Sequence, residues 1–156
     1  MTFKATLLAC LLVSTSISAV AKDTNSLYER LITSVDKADF KMMASAYHPD
    51  AVLVKKDKTT PIKQALNRWT KEGTSWAQKG GKASLEFRFS ERVVNETSSF
   101  EKGIYKYKMI SNTGEEKVYL VHIENLSVKR NGMWVTLMEK QLNNATKSEW
   151  DNLPKL

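Results

Sequence analysis

Apolar residues near the start of the chain recur at helical spacing. Leu27, Leu31 and Val35 follow one another four positions apart, which places them on one face of an amphipathic helix. Ser26 and Glu29 have the spacing of a capping box, in which each side chain bonds the backbone N–H of the other residue. The pattern therefore predicts an amphipathic helix that begins at Ser26.

Two further helices are predicted downstream. Asp39 can cap the first of them, and Pro49 ends it because the residue before a proline avoids helical backbone angles. A short apolar strand, residues 51–54, follows. Thr60 and Pro61 then open a third helix, as the cap and the first helical residue. The apolar faces of these two helices are formed by Phe40, Met43, Ala44 and Tyr47, and by Ile62, Ala65, Leu66 and Trp69.

From Lys82 onward the hydrophobic period changes to two, which is typical of strands. Asn131 and Gly132 form the strongest hairpin signal, because both residues tolerate positive φ. Helices followed by a long antiparallel meander indicate an α+β domain with helices on one face of the sheet. The strand patterns cover residues 85–90, 105–109, 118–123 and 134–142.

Two segments carry a resemblance to a known family. Residues 36–39 (Asp-Lys-Ala-Asp) and 43–53 (Met-Ala-Ser-Ala-Tyr-His-Pro-Asp-Ala-Val-Leu) resemble the opening of SnoaL-like domains in the NTF2-like superfamily. In those domains a helix ends in an aromatic residue, a proline–aspartate pair and a short apolar strand. Residues 130–134 (Arg-Asn-Gly-Met-Trp) are similar to the late hairpin of that family. The order of the predicted elements also agrees with the family.

The resemblance implies a cone-shaped, curved antiparallel sheet packed on N-terminal helices, an NTF2-like or cystatin-like fold. It also implies a pocket at the open end of the cone and frequent homodimers, so we expect a homodimer. It does not imply one activity, because ketosteroid isomerases, scytalone dehydratase and non-catalytic modules share this fold. Several relatives carry histidines in the strand after the late tryptophan. Residues 136–141 contain none here, so catalytic roles are not transferred.

The N-terminus has the three parts of a secretory signal peptide. A short basic segment ends at Lys4, residues 5–13 are mainly apolar, and small residues stand at Ala19 and Ala21. We expect cleavage after Ala21, which leaves residues 22–156 as a single domain. The apolar run is shorter than the ~20 residues needed to span a bilayer. We therefore expect a periplasmic or secreted protein with no membrane anchor after cleavage.

Charge and cysteine content exclude several kinds of site. The net charge of the whole chain is +7, but the lysines are scattered among acidic residues, so we interpret them as a solvated surface and expect no nucleic-acid partner. Cys10, in the signal segment, is the only cysteine, and the two histidines are far apart. We therefore expect no disulfide and no metal site. With no phosphate-loop or dinucleotide fingerprint, we expect no cofactor.

The hairpin predicts one cluster of titratable residues. If Asn131 and Gly132 form a two-residue loop, counting outward along both strands pairs Glu124 with Glu139. Two positions further, His122 lies opposite Gln141. Opposed carboxylates repel, which raises the pKa of one of them where water is scarce. A histidine beside them could share a proton, as general acid–base catalysis requires.

Two other arrangements remain open for this cluster. The end of the hairpin could be wet, with the carboxylates on the surface and screened by lysines. A bulge at the turn would bring Trp134, Thr136 and Met138 onto this face instead and dissolve the cluster.

Aromatic residues supply the remaining candidates for a ligand site. Tyr28, Tyr47 and Trp76 could line a pocket together with His122 and Gln141, although aromatic residues at helical spacing are more often core. We interpret His48, at the end of a predicted helix, as a structural residue and not as part of a site.

We interpret the chain as an exported domain that binds a small, largely apolar ligand or a partner without catalysis. One alternative is a lyase or isomerase acting on a carbonyl compound. Its base would be Glu124 or Glu139, with His122 or a tyrosine polarising the oxygen. The other alternative is an interaction module whose sheet face docks a protein.

Overall fold

The first half of the chain is mainly helical and the second half forms four long strands, as the hydrophobic period predicts. The computed structural model describes residues 14–156, with side chains described from Thr24 onward. The basic and apolar parts of the expected signal peptide, with Cys10, lie outside the described residues. In chain order the elements are α1 (Ser14–Asp36), α2 (Phe40–Ser45), β1 (Tyr47–Lys55), β2 (Lys58–Pro61), α3 (Ile62–Gln78), β3 (Lys82–Val94), β4 (Ser98–Ile110), β5 (Glu116–Arg130), β6 (Met133–Asn144) and α4 (Lys147–Asp151).

The strands form one mostly antiparallel sheet in the order β2-β1-β6-β5-β4-β3. The meander from β3 to β6 confirms the antiparallel run that the alternating pattern predicts. β1 pairs parallel to β6, a contact between distant parts of the chain. We call the face that packs on α1 and α3 the inner face, and the opposite one the outer face. The predicted α+β class and curved, open sheet are both confirmed.

Irregularities in the strands bend the sheet. β3 has a register shift between Phe89 and Glu91, and such bulges kink a strand and increase its twist. Gly103 of β4 lies opposite this shift, where a Cβ atom would come within 2.1 Å of the carbonyl oxygen of Arg88. Only glycine permits so close an approach between the two strands. The long strands can therefore curve around the helices instead of remaining flat.

Apolar contacts and hydrogen bonds hold the first helix on the sheet. The ring of Tyr28 lies 4.6 Å from that of Phe89, and Leu27 beside it is fully buried. Glu101, with 0% of its surface exposed, accepts a 2.6 Å hydrogen bond from the Tyr28 hydroxyl. The same carboxylate accepts a 2.7 Å hydrogen bond from Nε of Arg92. A buried charge needs such partners, because desolvation costs several kcal/mol otherwise.

A short C-terminal helix that the sequence analysis did not anticipate covers part of the outer face. Thr146 and Glu149 form a capping box at the start of α4. Trp150 is buried, and the guanidinium of Arg88 lies over it, 4.4 Å from the centroid of the Trp150 ring. The helices therefore do not all lie on one face, since α4 packs opposite α1 and α3.

Three predicted helix boundaries differ from the observed ones. α1 does not begin at Ser26, because residues 14–25 contain neither proline nor glycine to interrupt the helix. Asp39 caps α2 as predicted, accepting a 2.9 Å hydrogen bond from the Met42 N–H, but that helix ends before Tyr47. α3 begins one residue later than predicted, because Pro61 has the extended conformation of a cap.

Within the described part of the chain, no helix is long and apolar enough to cross a membrane.

Candidate functional site

The turn between β5 and β6 forms as predicted. Asn131 and Gly132 both have positive φ, as a two-residue hairpin turn of this type requires. Val128 lies opposite Val135, which is the pairing counted from the sequence. The register is therefore confirmed for the first four residues on each side of the turn.

The register prediction is wrong beyond Thr136. Thr136 lies opposite Ser127, but the next pair joins Met138 to Leu126. Leu137 is therefore an extra residue, so the bulge lies inside β6 and not at the turn. Because side chains alternate between faces, one inserted residue reverses the face of every side chain that follows.

The bulge separates the carboxylates that the sequence analysis placed opposite each other. Glu139 lies opposite Asn125, and Glu124 lies opposite Lys140. Glu139 and Gln141 consequently face inward, where both line a cavity. The predicted pairing of Glu124 with Glu139 is wrong.

His122 and Glu124 face the outer side of the sheet. Nε2 of His122 lies 3.3 Å from a carboxylate oxygen of Glu149 in α4. Oε2 of Glu124 accepts a 2.8 Å hydrogen bond from Nζ of Lys140. The predicted acid–base cluster of His122, two glutamates and a glutamine therefore does not form.

The candidate site is a cavity of about 1180 Å³ between the inner face of the sheet and helices α1 and α3. The deep end of the cavity lies against the centre of the sheet, where residues are buried. The cavity opens toward α3, whose residues are largely exposed. Most of the wall is aromatic or aliphatic, as in typical small-molecule sites. The apolar wall residues include Phe40, Met43, Trp69, Trp76, Leu85, Phe87, Tyr107 and Ile123.

A small group of polar side chains converges at the deep end of the cavity. We call this group the polar floor; it consists of Tyr47, Tyr105, Asn125, Glu139 and Gln141.

Glu139 is the titratable centre of the polar floor. Its Oε2 accepts a 2.7 Å hydrogen bond from the Tyr47 hydroxyl, and its Oε1 accepts a 2.8 Å hydrogen bond from Nε2 of Gln141. Burial raises the pKa of this carboxyl, and the two hydrogen bonds oppose the rise only in part. The site therefore holds a carboxyl group that is protonated more readily than one in water.

The tyrosines of the polar floor stay protonated. Burial and the neighbouring Glu139 carboxylate both raise the pKa of Tyr47 well above its ordinary value. The same two causes raise the pKa of Tyr105. The Tyr47 hydroxyl therefore acts as a hydrogen-bond donor, which fixes the direction of its bond to Glu139.

Asn125 brings an unpaired acceptor to the cavity. It is 2% exposed, its side chain hydrogen bonds with the Tyr28 phenol, and its Oδ1 has no hydrogen-bond partner. Buried polar atoms are nearly always paired, so an unpaired oxygen in a cavity wall suits a donor on a ligand. Tyr28 itself lies behind Asn125 in the core and is not part of the cavity wall.

The five candidate ligand-binding residues from the sequence are thus divided. Tyr47, Trp76 and Gln141 line the cavity, whereas Tyr28 is buried behind it and His122 lies on the outer face. The sequence analysis did not single out Asn125 or Tyr105, the other members of the polar floor. Their signal was weak: each stands two residues from an apolar or aromatic residue in a strand.

The catalytic candidates are divided in the same way, with only Glu139 in the cavity.

His48 lies in β1, where Nδ1 accepts a 3.1 Å hydrogen bond from the Asp50 N–H, a local structural contact. Among residues 14–156, no three His, Cys, Asp or Glu side chains are grouped so as to hold a metal ion.

Comparison by sequence gave no match. No protein-family model matches the chain, and a search of curated proteins found no match.

Comparison by structure gave many matches at low sequence identity. An NTF2-like superfamily protein from Salmonella enterica has a TM-score of 0.64 and 14% identity, covering 85% of this chain and 96% of that one. A protein with a cystatin-like fold from Caulobacter vibrioides has a TM-score of 0.61 and 13% identity, covering 86% and 95%. A protein from Catenulispora acidiphila in complex with S-DNPA has a TM-score of 0.62 and 14% identity, covering 80% and 94%. The fold of this chain is therefore the NTF2-like, or cystatin-like, fold.

Proposed function

We propose that this domain binds a small, largely apolar molecule in the cavity between its helices and its sheet. The observation that carries the proposal is the pairing of a wide apolar wall with one buried, unpaired acceptor, Oδ1 of Asn125. Apolar walls supply affinity by removing ligand surface from water. A few convergent polar groups supply orientation, as in most small-molecule sites.

The size of the cavity favours a ligand over a collapsed core. Protein interiors are packed densely, with few voids larger than a water molecule. A cavity of about 1180 Å³ is above the usual range of ~300–1,000 Å³ for small-molecule pockets. A neighbour of the same fold, from Catenulispora acidiphila, was solved in complex with S-DNPA, which is consistent with small-molecule binding by this architecture.

The ligand that suits the polar floor carries a hydrogen-bond donor at its buried end. Oδ1 of Asn125 accepts a hydrogen bond but cannot donate one. Glu139, when protonated, can donate to a ligand oxygen in addition to its contact with Tyr47. A hydroxyl group both donates and accepts, so it would satisfy both side chains.

A cavity-filling substitution tests this function. Ala83 lines the cavity near the start of β3, and a tryptophan at that position would occupy part of the space. We expect Ala83→Trp to weaken binding of the uncharged fluorescent probe N-phenyl-1-naphthylamine by at least about tenfold, since lost apolar burial costs about 25 cal/mol per Å². Fluorescence titration of the purified domain, residues 22–156, measures the affinity.

The adjacent residue provides the control. Ser84 follows on the same strand, faces the other side of the sheet and does not line the cavity. Ser84→Trp should bind the probe as the unsubstituted protein does, with both variants melting within a few degrees of it. Equal probe binding by Ala83→Trp and the unsubstituted protein would show that the cavity is not the site.

Glu139 also supports a second candidate function, proton abstraction next to a carbonyl group. A carboxylate with a raised pKa is a stronger base than one in water, and this one lies in a cavity beside Tyr105. In such a reaction Glu139 would remove a proton from the carbon next to the carbonyl. A protonated tyrosine such as Tyr105 would stabilise the oxygen of the resulting enolate.

Hydrogen–deuterium exchange separates the two functions. A panel of small ketones in D₂O, followed by NMR, would lose signal at carbons next to the carbonyl if the domain abstracts protons. Glu139→Gln should abolish that exchange, whereas Glu124→Gln, a glutamate on the outer face, should leave it intact. Probe binding without exchange by any ketone would leave binding as the function.

A further inference from the structure

The mouth of the cavity is rich in positive charge. Six cationic side chains line it, together with two exposed carboxylates, Asp36 and Glu72. The opening therefore has a net charge of +4 at neutral pH. We call the six cations the basic rim; they are Lys37, Lys55, Arg68, Lys71, Lys79 and Lys82.

The basic rim differs from three lysines of the outer face, which form ion pairs with the protein's own carboxylates. On the outer face, Lys102 lies 2.9 Å from Glu91, and Lys140 lies 2.8 Å from Glu124. Lys108 likewise lies 2.6 Å from a glutamate. Within the part of the chain that the structure describes, no member of the basic rim has an acidic partner at ion-pair distance. The outer lysines neutralise the protein's own carboxylates, whereas the rim cations remain available to a ligand.

The apolar residues and the charged residues therefore lie at opposite ends of the cavity. The deep end holds buried side chains such as Ile123 and Phe87, and the mouth holds exposed cations on α3 and at the start of β3. Glu139 lies at the deep end, and its protonated form would not oppose the field of the rim. A cleft lined by one sign of charge with low-dielectric walls concentrates ions of the opposite sign at its opening.

We infer that the ligand is an amphipathic anion, with an apolar body inside the cavity and a carboxylate or phosphate group at the basic rim. This inference rests on the proposed function, because it assigns the class of molecule that the cavity binds. Lysine and arginine both bind carboxylate and phosphate oxygens, and Arg68 can bind two oxygens at once. A straight alkyl carboxylate is the simplest molecule with this distribution of charge.

Four twelve-carbon amphiphiles that differ only in their head group test the inference. Dodecanoate, dodecyl phosphate, dodecanol and dodecyltrimethylammonium would each displace N-phenyl-1-naphthylamine from residues 22–156 at pH 7.5, low salt and concentrations below micelle formation. We expect both anions to bind about tenfold more tightly than dodecanol, and the cation more weakly than dodecanol. Added salt should narrow the difference, because the rim is exposed and therefore screened.

Matched triple variants locate the effect. Lys71→Gln/Lys79→Gln/Lys82→Gln removes three rim charges and should lower the affinities of both anions to that of dodecanol. Lys102→Gln/Lys108→Gln/Lys140→Gln removes three charges from the outer face and should retain the preference.

The outcomes separate this inference from the proposed function. Failure of every amphiphile and of the uncharged probe to bind would overturn both. Equal binding of dodecanol and the two anions, or loss of the preference in the outer-face variant alone, would overturn the inference and leave the cavity as an apolar binding site.

Discussion

At the scale of single residues, one leucine decides which chemistry reaches the cavity. Leu137 has no partner in β5, so Glu139 and Gln141 face inward, while Glu124 faces outward. Without that insertion the two glutamates would lie opposite each other, as strict alternation from the turn requires. The polar floor therefore depends on a bulge and not on any property of the glutamates themselves.

The titration of Glu139 gives a pH-dependent stability. Its raised pKa means that the folded state holds a proton that the unfolded state releases, so the free energy of unfolding falls as pH rises from about 4.5 through the folded pKa. Glu139→Gln removes this titration. Over this pH range the free energy of unfolding of the unsubstituted protein should fall, relative to that of the variant, by about 1.4 kcal/mol for each pH unit by which the pKa is raised. Urea unfolding at intervals from pH 4 to pH 8 measures it.

Glu124→Gln is the control for that series, because Glu124 lies on the outer face and pairs with Lys140. Its effect on the free energy of unfolding should not follow the Glu139 profile. A stability difference between Glu139→Gln and the unsubstituted protein that stays constant with pH would contradict the raised pKa. A constant offset from the altered hydrogen bonds is expected in addition.

The buried ion pair is a second feature of single residues. Arg92→Met would leave the Glu101 carboxylate buried without its countercharge, although the Tyr28 hydrogen bond would remain. We expect a loss of about 3 kcal/mol in the free energy of unfolding, as for other buried pairs that lose one partner. The double variant with Glu101→Gln should recover part of the loss. Chemical denaturation at neutral pH measures both variants.

Lys102→Met provides the comparison for Arg92→Met, because Lys102 pairs with Glu91 on the exposed outer face. Such exposed pairs contribute little, so its stability should equal that of the unsubstituted protein within error. Equal losses of unfolding free energy from Arg92→Met and Lys102→Met would show that the buried pair contributes no more to stability than the exposed one.

At the scale of elements, β1 and β6 are irregular at the same place. Four residues of β1, from His48 to Ala51, lie between the pairs that Tyr47 and Val52 make with β6. Pro49 lies in that stretch and has no N–H to offer a neighbouring strand, which explains the interruption. Because the pairing resumes beyond the bulge, the Tyr47 hydroxyl reaches Glu139 on the inner face.

Cysteine cross-linking tests the register of the β5–β6 hairpin. The domain from residue 22 onward contains no cysteine, so introduced pairs react without competition. Glu124→Cys/Lys140→Cys joins residues directly opposite on one face and should form a disulfide under mild oxidation. Glu124→Cys/Glu139→Cys places the thiols on opposite faces and should remain reduced. Mass spectrometry of the alkylated proteins distinguishes the two states, and the reverse result would restore the register counted from the sequence.

At the scale of the whole molecule, the expected signal peptide and the domain share one helix. Cleavage after Ala21 would fall inside α1, yet the mature chain would keep Thr24, Tyr28 and the contacts that these make with Glu101. Export and the homodimer remain predictions from the sequence and its family resemblance.

Processing in a Gram-negative host tests the predicted export. The full chain should yield a periplasmic protein whose N-terminus is Lys22, because Ala19 and Ala21 suit a signal peptidase pocket. Ala21→Lys should block cleavage, whereas Ser18→Lys, one residue before Ala19, should be tolerated better. Intact-mass measurement of periplasmic and cytoplasmic fractions reads out both, and an unprocessed cytoplasmic product from the unsubstituted chain would refute the signal peptide.

Local patterns in the sequence determined the class of the domain, the presence of α1 to α3 and of the four long strands, and the hairpin turn. They did so because helical and strand periodicity, the Asp39 cap and the Asn131–Gly132 turn are properties of neighbouring residues. The tertiary structure alone decided the members of the site. The unpaired Leu137 in β6, the parallel contact of β1 and the position of Asn125 in the cavity wall depend on residues far apart in the chain. A strand pattern gives the spacing of side chains, but only the packed sheet decides which face each one joins.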